Sequence, residues 1–235
     1  MAKRWKLFLW LSLKAMLQTS TRIKIGDCLM GFYDKHILPH FLNCACGSKP
    51  IKYQREKVVP MAEGLVLEVG IGSGLNIPFY DAAKVERILG LDPSEELNRM
   101  ALKVAEEKGI PVEFILGGAE DMPLPDNHVD TVLVTFTMCT IPEVAAANKE
   151  MLRVLKPGGK MIFCEHGVAP DVGVLKWQNR IDPIWGKIAG GCHLNRDIPS
   201  LIEDAGFKIK TMEQMYLPST PKFAGYNYWG TAVAR

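Results

Sequence analysis

Short apolar runs alternate with longer charged stretches through the middle of the chain. Leu65-Val66-Leu67 is the first such run, and Arg87 to Pro93 carries the second, ending on Asp92. Val112 to Leu116, Asp130 to Val134 and the stretch from Leu155 to Phe163 follow in order. Runs this short between turn residues are the signature of buried strands. The segments between them carry helix punctuation. Ser94 is an N-cap with Glu95 and Glu96 in the first turn, and Gly109 stops that helix after Lys108. Pro142 reads as a first-turn proline for a helix running to Leu155, and Pro157-Gly158-Gly159 turns the chain into the fifth strand. Alternating strands and helices predict an α/β fold with a mainly parallel sheet covered on both faces. Beyond Glu165-His166 the pattern changes. Residues 171–189 carry Trp177, Ile181, Ile184, Trp185 and Ile188 at helical spacing, broken by Pro183. A further helix is expected from Arg196 to Gly206, then two closing strands at 207–216 and 226–234. Residues 3–17, 23–42 and 51–60 read as helices outside the core.

Between the first strand and the next helical stretch lies Glu68-Val69-Gly70-Ile71-Gly72-Ser73-Gly74. Glycines permit a tight turn and bring bare backbone up to a ligand. Leu75-Asn76-Ile77 is expected to open a helix whose N-terminus faces the same ligand. The spacing is G-x-G-x-G, not the G-x-G-x-x-G of a pyrophosphate site. Glu68, two residues before the first glycine, would repel a pyrophosphate. It suits a cofactor bearing an ammonium and a sulfonium, which is S-adenosylmethionine. Asp92, at the end of the second strand, is placed to accept hydrogen bonds from ribose hydroxyls.

In this order over residues 65–165, these motifs resemble the class I S-adenosylmethionine-dependent methyltransferases, the broad type that includes the ubiquinone and menaquinone methylases. The resemblance implies a Rossmann-like sheet, mainly parallel, closed by a C-terminal antiparallel hairpin, with N-terminal helices added. It divides the chain into an N-terminal helical segment, 1–50, and a methyltransferase domain, 51–235. It also implies site roles. Gly70, Gly72 and Gly74 line the methionyl part with Glu68 near its amino group. Asp92, followed by Pro93, holds the ribose. Ala119 and Glu120 face the adenine edge, and Thr135 closes the site after the fourth strand. Many relatives place Asp immediately before that alanine, whereas this chain has Gly118.

Composition adds limits. Lysine and arginine number 28 against 26 acids, with no basic run of nucleic-acid type beyond the first residues, so nucleic acid is not an expected partner. Cys28, Cys44, Cys46, Cys139, Cys164 and Cys192 lie in or beside apolar segments, which suits free thiols in a reducing, cytoplasmic setting. Cys44-Ala45-Cys46 is too tight for common zinc spacing, and no metal is expected. Residues 1–20 place Lys3, Arg4, Lys6, Lys14 and Gln18 on one helical side and Trp5, Phe8, Leu9, Leu13 and Met16 on the other. That pattern fits an interfacial helix in peripheral membrane contact, or an ordinary helix packed on the domain. The apolar run is shorter than the roughly 20 residues a bilayer span needs.

The loop after strand four, Thr135-Phe136-Thr137-Met138-Cys139-Thr140-Ile141-Pro142, lacks the N/D-P-P-Y/F pattern of amine-directed enzymes. His166 after strand five is the candidate general base, with Asp182 expected to orient it or an incoming thiol. Cys139 reads as an apolar wall residue. Glu165-His166, Asp182-Pro183-x-Trp185, Gly191-Cys192-x-Leu194-Asn195-Arg196 and Tyr228-x-Gly230-x-Ala232 resemble the membrane-associated alkyl-thiol S-methyltransferases. This narrower resemblance implies methylation of small thiols such as hydrogen sulfide, methanethiol or other alkyl thiols. The alternatives are a quinone or phospholipid methyltransferase and a non-catalytic cofactor-binding module.

Overall fold

The computed structural model describes residues 46–235. The helices expected at 3–17 and 23–42, the amphipathic stretch 1–20, and all but the end of the 1–50 segment lie outside the described residues. Among the described residues seven strands are present: β1 Gly64–Val69, β2 Val85–Asp92, β3 Val112–Leu116, β4 Val129–Thr135, β5 Leu155–His166, β6 Phe207–Tyr216 and β7 Tyr226–Ala234. They form one sheet in the order β3-β2-β1-β4-β5-β7-β6. The first five run parallel, while β7 is antiparallel to both β5 and β6. The strand order reverses between β1 and β4, so their carboxyl ends open a crevice of the kind in which α/β sheets bind ligands.

Side chains alternate between the two faces of a strand. Leu65, Leu67 and Val69 of β1 therefore enter one core and Val66 the other. Val144, Ala147, Met151 and Val154 of α3 (Val144–Val154) cover the first face. Ala101 and Ala105 of α2 (Glu95–Lys108), with Val58 of α1 (Lys49–Val58), cover the second. Because both faces are buried, the strands read as nearly continuous apolar runs. The caps of α2 are as expected: Ser94 Oγ accepts from Leu97 N at 3.3 Å, and Gly109 ends the helix at φ 65°. The fifth strand begins earlier than expected. Leu155 already pairs with Val129, and the register slips before Lys160 meets Thr131, with Gly158 at φ 84° inside the irregularity.

Two expectations are corrected here. Residues after the glycine turn do not open an α-helix but form a single 3-10 turn, Ile77–Phe79. Only a short connection separates it from β2, and Pro78 suits the turn's first positions without extending it. The apolar series at 171–189 is not broken by Pro183. Helix α4 runs unbroken from Val172 to Ile188 with Pro183 inside. The proline withholds one N–H from the helix ladder, but tertiary anchoring compensates. Buried Gln178 on α4 donates to the carbonyls of Gly167, Leu194 and Phe223 and accepts from Ala169 N at 2.9 Å. Helix α5 (Ile198–Asp204) is capped by Asp197, which accepts from Ser200 N. A one-turn α6 (Lys222–Gly225) leads into β7. Among the described residues, no helix is long and apolar enough to cross a membrane.

Candidate functional site

At the crevice, β1 gives way to Gly70, Gly72 and Gly74, with φ of 73°, 55° and 81°. The three glycines serve different ends. A Cβ at Gly70 would stand 2.3 Å from Thr137 Cγ2, and one at Gly74 would stand 2.8 Å from Ile77 Cδ1. Protein packing closes both positions. At Gly72 the nearest atom is the Gly70 carbonyl oxygen, 3.9 Å away, so this face is open. Across the turn, Asp92 Oδ2 accepts from Gly72 N at 3.0 Å and Oδ1 accepts from Ser94 N at 2.8 Å. Each oxygen keeps a further lone pair for a hydroxyl donor. Burial raises the Asp92 pKa against the pull of those two backbone donors. Pro93 beside it is exposed and leads into the Ser94 cap. An open backbone cradle beside a pinned carboxylate fits the methionyl and ribosyl parts of S-adenosylmethionine. On the β3 side Ala119 is buried and Glu120 half-buried. A Cβ on Gly118 would come within 2.7 Å of Glu120 Oε2, the movable end of a flexible side chain, so packing does not require glycine there.

Glu68 lies deeper than expected, at 1% exposure. Its Oε1 accepts from Asn76 Nδ2 at 2.8 Å and its Oε2 from Tyr80 Oη at 2.7 Å. Burial pushes its pKa up to about 7. Thr135 is also inside this network: its Oγ1 accepts from Asn76 Nδ2 at 2.9 Å and from Arg55 Nη1 at 2.8 Å. Arg55 Nη1 donates to Asn76 Oδ1 at 2.6 Å, and the guanidinium lies 5.3 Å from the Phe136 ring centroid. Glu68 and Thr135 are thus brought together as a scaffold beneath the glycine turn. Arg55, Asn76 and Tyr80 were missed in the sequence because each sits singly in an unremarkable segment.

The second part of the site forms where the loops after β4, β5 and α4 meet. Phe136 takes a positive φ of 54°, which turns the chain sharply after β4. Thr137 N and Met138 N then donate to Glu165 Oε1 at 2.8 and 3.1 Å. His193 N donates to the Cys139 carbonyl at 2.8 Å and ties the post-α4 loop to the post-β4 loop. The ligand atoms of Cys139, His166 and Cys192 consequently lie within 4.8 Å of one another, with Cys192 Sγ 3.3 Å from His166 Nε2. Arg196 Nη1 spans the same loop, donating to the Met138 carbonyl and, at 2.7 Å, to that of Ile141.

The electrostatics of this cluster are uneven. Burial pushes the Glu165 carboxyl up to about 7. The adjacent Cys139 thiol, then His166, favour the Cys192 thiolate and hold its pKa well below the usual thiol range. Cys139 and its partner cannot both ionise, and Cys139 is raised well above the usual thiol range. Interaction with Cys192 raises His166 despite its burial. Glu165 Oε2 and His166 Nδ1 are buried without a hydrogen-bond partner among the described residues. The Trp185 indole N–H, close enough to favour the Cys192 thiolate, makes no hydrogen bond of good geometry.

Asp182 does not reach His166. It sits mid-helix on α4, where Oδ2 pairs with His193 Nδ1 at 2.8 Å and Oδ1 accepts from Leu194 N at 2.6 Å. It holds the loop that presents Cys192. No spacing along the chain signals the Cys139–His166–Cys192 meeting, since its members come from the loop after β4, the end of β5 and the loop after α4.

Residues 67–163 match the model of a family described as a methyltransferase domain. Thiol S-methyltransferase TMT1A of Homo sapiens is 30% identical over 179 residues, covering 74% of this chain and 72% of that protein. A phosphatidylethanolamine N-methyltransferase of Cereibacter sphaeroides is 37% identical over 114 residues, covering 48% of this chain and 55% of that protein. Among solved structures, a geranyl diphosphate methyltransferase in complex with SAM superposes with a TM-score of 0.65 at 15% identity, covering 78% of this chain and 85% of that one. That likeness concerns the fold alone.

Proposed function

Since the chain belongs to the class I S-adenosylmethionine-dependent methyltransferases, we propose that it moves the methyl group of that cofactor to a small thiol. The observation that carries the thiol assignment is the likeness to a thiol S-methyltransferase over 179 residues, a span longer than the matched methyltransferase domain. The quinone or phospholipid reading is the alternative. The phospholipid relative supports it over 48% of the chain.

S-adenosylmethionine supplies an electrophilic methyl group on a sulfonium; the chain supplies position and a dry site. In this reading the open face at Gly72 takes the methionyl part, between Gly70 and Gly74. Asp92, next to Pro93, accepts from the ribose hydroxyls. Ala119 and Glu120 border the adenine. Glu68 and Thr135 are positioning residues that act through Asn76, Tyr80 and Arg55 on the underside of the turn. The acceptor occupies the space beside Cys139, His166 and Cys192. His166 serves the acceptor as a member of that group, because its Nε2 already faces Cys192 at 3.3 Å. Asp182 holds the Cys192 loop through His193 and Leu194.

We place the protein in a reducing cytoplasmic setting, in keeping with free Cys46, Cys139, Cys164 and Cys192, and assign lipid contact to residues 1–20. Deleting residues 1–20 should abolish association with anionic liposomes while leaving cofactor affinity within a few-fold. Unchanged liposome association sinks the lipid assignment. The function itself is tested by incubating the full chain with methyl-labelled cofactor and an alkyl thiol. Labelled methyl thioether is the expected product. Label entering a quinone or phospholipid and no thiol supports the alternative.

A further inference from the structure

From the meeting of Cys139, His166 and Cys192, we propose that these three side chains bind a zinc-class divalent ion and leave its fourth position for the acceptor thiol. The second half of this statement rests on the thiol reading above; the first half does not.

The donor set is chemically apt. Two thiolates and one imidazole suit soft or borderline ions such as zinc, and three protein ligands with an open position is the pattern of a catalytic site, not a structural one. Distances agree. Tetrahedral zinc with the usual bond lengths separates sulfur from nitrogen by ~3.6 Å and sulfur from sulfur by ~3.8 Å. Here Cys192 Sγ and His166 Nε2 are 3.3 Å apart, and the three donor atoms all fall within 4.8 Å of one another. Small side-chain rotations bring them onto one ion.

The surroundings point the same way. Each ligand is held in place by backbone bonds before any ion binds. Cys139 follows the Phe136 turn pinned by Glu165 Oε1 through Thr137 N and Met138 N. His166 is the last residue of β5 and pairs with Asn227 of β7. Cys192 lies in a loop tied by His193 N to the Cys139 carbonyl and by Asp182 to Leu194 N. Preorganisation of this kind is what a three-ligand site needs. Glu165 Oε2, His166 Nδ1 and Trp185 Nε1, from residues at or beside the group, are buried with no hydrogen bond of good geometry. None of these atoms is a ligand of the ion; unpaired polar atoms beside the group instead leave hydrogen-bonding capacity for the acceptor that takes the fourth position. Thr137 links the group to the cofactor turn, for its side chain lies where a Cβ on Gly70 would stand. Cys46 is near enough to influence Cys139 but its sulfur is not among the atoms that meet. The expectation of a metal-free site rested on the tight spacing of Cys44 and Cys46 and on how common such residues are as buried apolar groups, and it did not weigh Cys139 and His166 as partners of Cys192.

At such an ion the acceptor thiol loses its proton to water. Its sulfur attacks the sulfonium methyl carbon as the carbon's bond to the cofactor sulfur breaks. A methyl thioether and S-adenosylhomocysteine result, and the ion is unchanged.

Elemental analysis of the full-length protein, dialysed against buffer with micromolar zinc, should find roughly one equivalent, falling about tenfold in Cys139→Ser and in Cys192→Ser. Cys164→Ser, on β5 beside Asn227, and Cys46→Ser should keep it. Cobalt(II) titrated into metal-free wild type should give intense thiolate-to-metal absorption typical of four-coordination, and an alkyl thiol should intensify it. This arm needs no variant to fold. Wild type holding less than about a tenth of an equivalent and giving no such absorption overturns the site. Zinc lost in Cys46→Ser shows a closed four-ligand site and overturns the open position. A cobalt spectrum indifferent to thiol, in protein that still methylates thiols, overturns the acceptor role. Metal bound by protein that methylates no thiol refutes the function above and leaves the ion site standing.

Discussion

Gly72→Ala separates a glycine kept for the fold from one kept for the ligand. Gly72 sits at φ 55°, where an alanine costs ~1–2 kcal/mol. No clash adds to that, because the new Cβ would meet nothing closer than the Gly70 carbonyl oxygen at 3.9 Å. A domain of this size loses roughly 2–4 °C per kcal/mol, so the melting temperature should fall by ~2–8 °C and the protein should remain folded. The methyl group points into the cradle assigned to the cofactor. Displacing a well-packed ligand atom there should weaken cofactor binding by a factor of ~10–100, equivalent to ~1.4–2.8 kcal/mol. Gly70→Ala should behave in the opposite way. Its Cβ would overlap Thr137 Cγ2 at 2.3 Å and Oγ1 at 2.4 Å, so the folded state itself should suffer, by ~3 kcal/mol or more. Thermal melts followed by isothermal calorimetry with S-adenosylhomocysteine check both variants. Gly72→Ala binding with wild-type affinity, at full cofactor occupancy, would refute the placement of the cofactor against this turn.

Three further outcomes follow from the same geometry. Asp92→Ala removes the acceptor assigned to the ribose and should weaken cofactor binding by ~1.5–3 kcal/mol; calorimetry showing equal affinity contradicts the assignment. Arg55→Met leaves Asn76 Oδ1 without its 2.6 Å donor and should lower the melting temperature by ~6–12 °C, from a loss of ~3 kcal/mol; a change under ~2 °C means the network is not structural. Glu68 titrates near 7 in the fold and near 4.5 when unfolded, so the native state holds the extra proton between those values, and wild type loses stability as pH rises through that window. Glu68→Gln does not titrate, so denaturant melts should show the variant gaining ~3 kcal/mol on wild type between pH 4.5 and 8; a gap independent of pH contradicts the buried, proton-retaining Glu68.

Much of the fold is legible because parallel strands buried on both faces leave apolar runs bounded by turns. β1 and β4 show this, buried along nearly their whole length, and the less buried Val112–Leu116 and the antiparallel closing strands 207–216 and 226–234 also fall where expected. Ser94 and Gly109 mark α2 because capping is local chemistry. The failures are tertiary. Pro183 stays inside α4 because buried Gln178 fastens that helix to three carbonyls far away in sequence. Glu68 reads as a ligand-facing acid, yet Asn76 and Tyr80 fold back over it. Asp182 reads as a partner for His166, but α4 directs it to His193. Cys139 and Cys192 belong to two loops and His166 ends β5, and their meeting depends on strand order and on one backbone bond from His193 to Cys139, neither of which leaves a spacing in the sequence.

The proposed acceptor is a small thiol beside Cys139, His166 and Cys192. The most direct measurement gives the full chain, under one set of conditions, labelled S-adenosylmethionine with an alkyl thiol, a demethylated quinone or phosphatidylethanolamine vesicles, and compares kcat/KM. Methyl thioether should form one for one with S-adenosylhomocysteine, with a kcat/KM at least ~100-fold above that for either lipid-like acceptor and a loss of ~10²–10⁴ in His166→Ala. Turnover of a quinone or phospholipid with the thiol inert, or thiol turnover undiminished in His166→Ala, would contradict it.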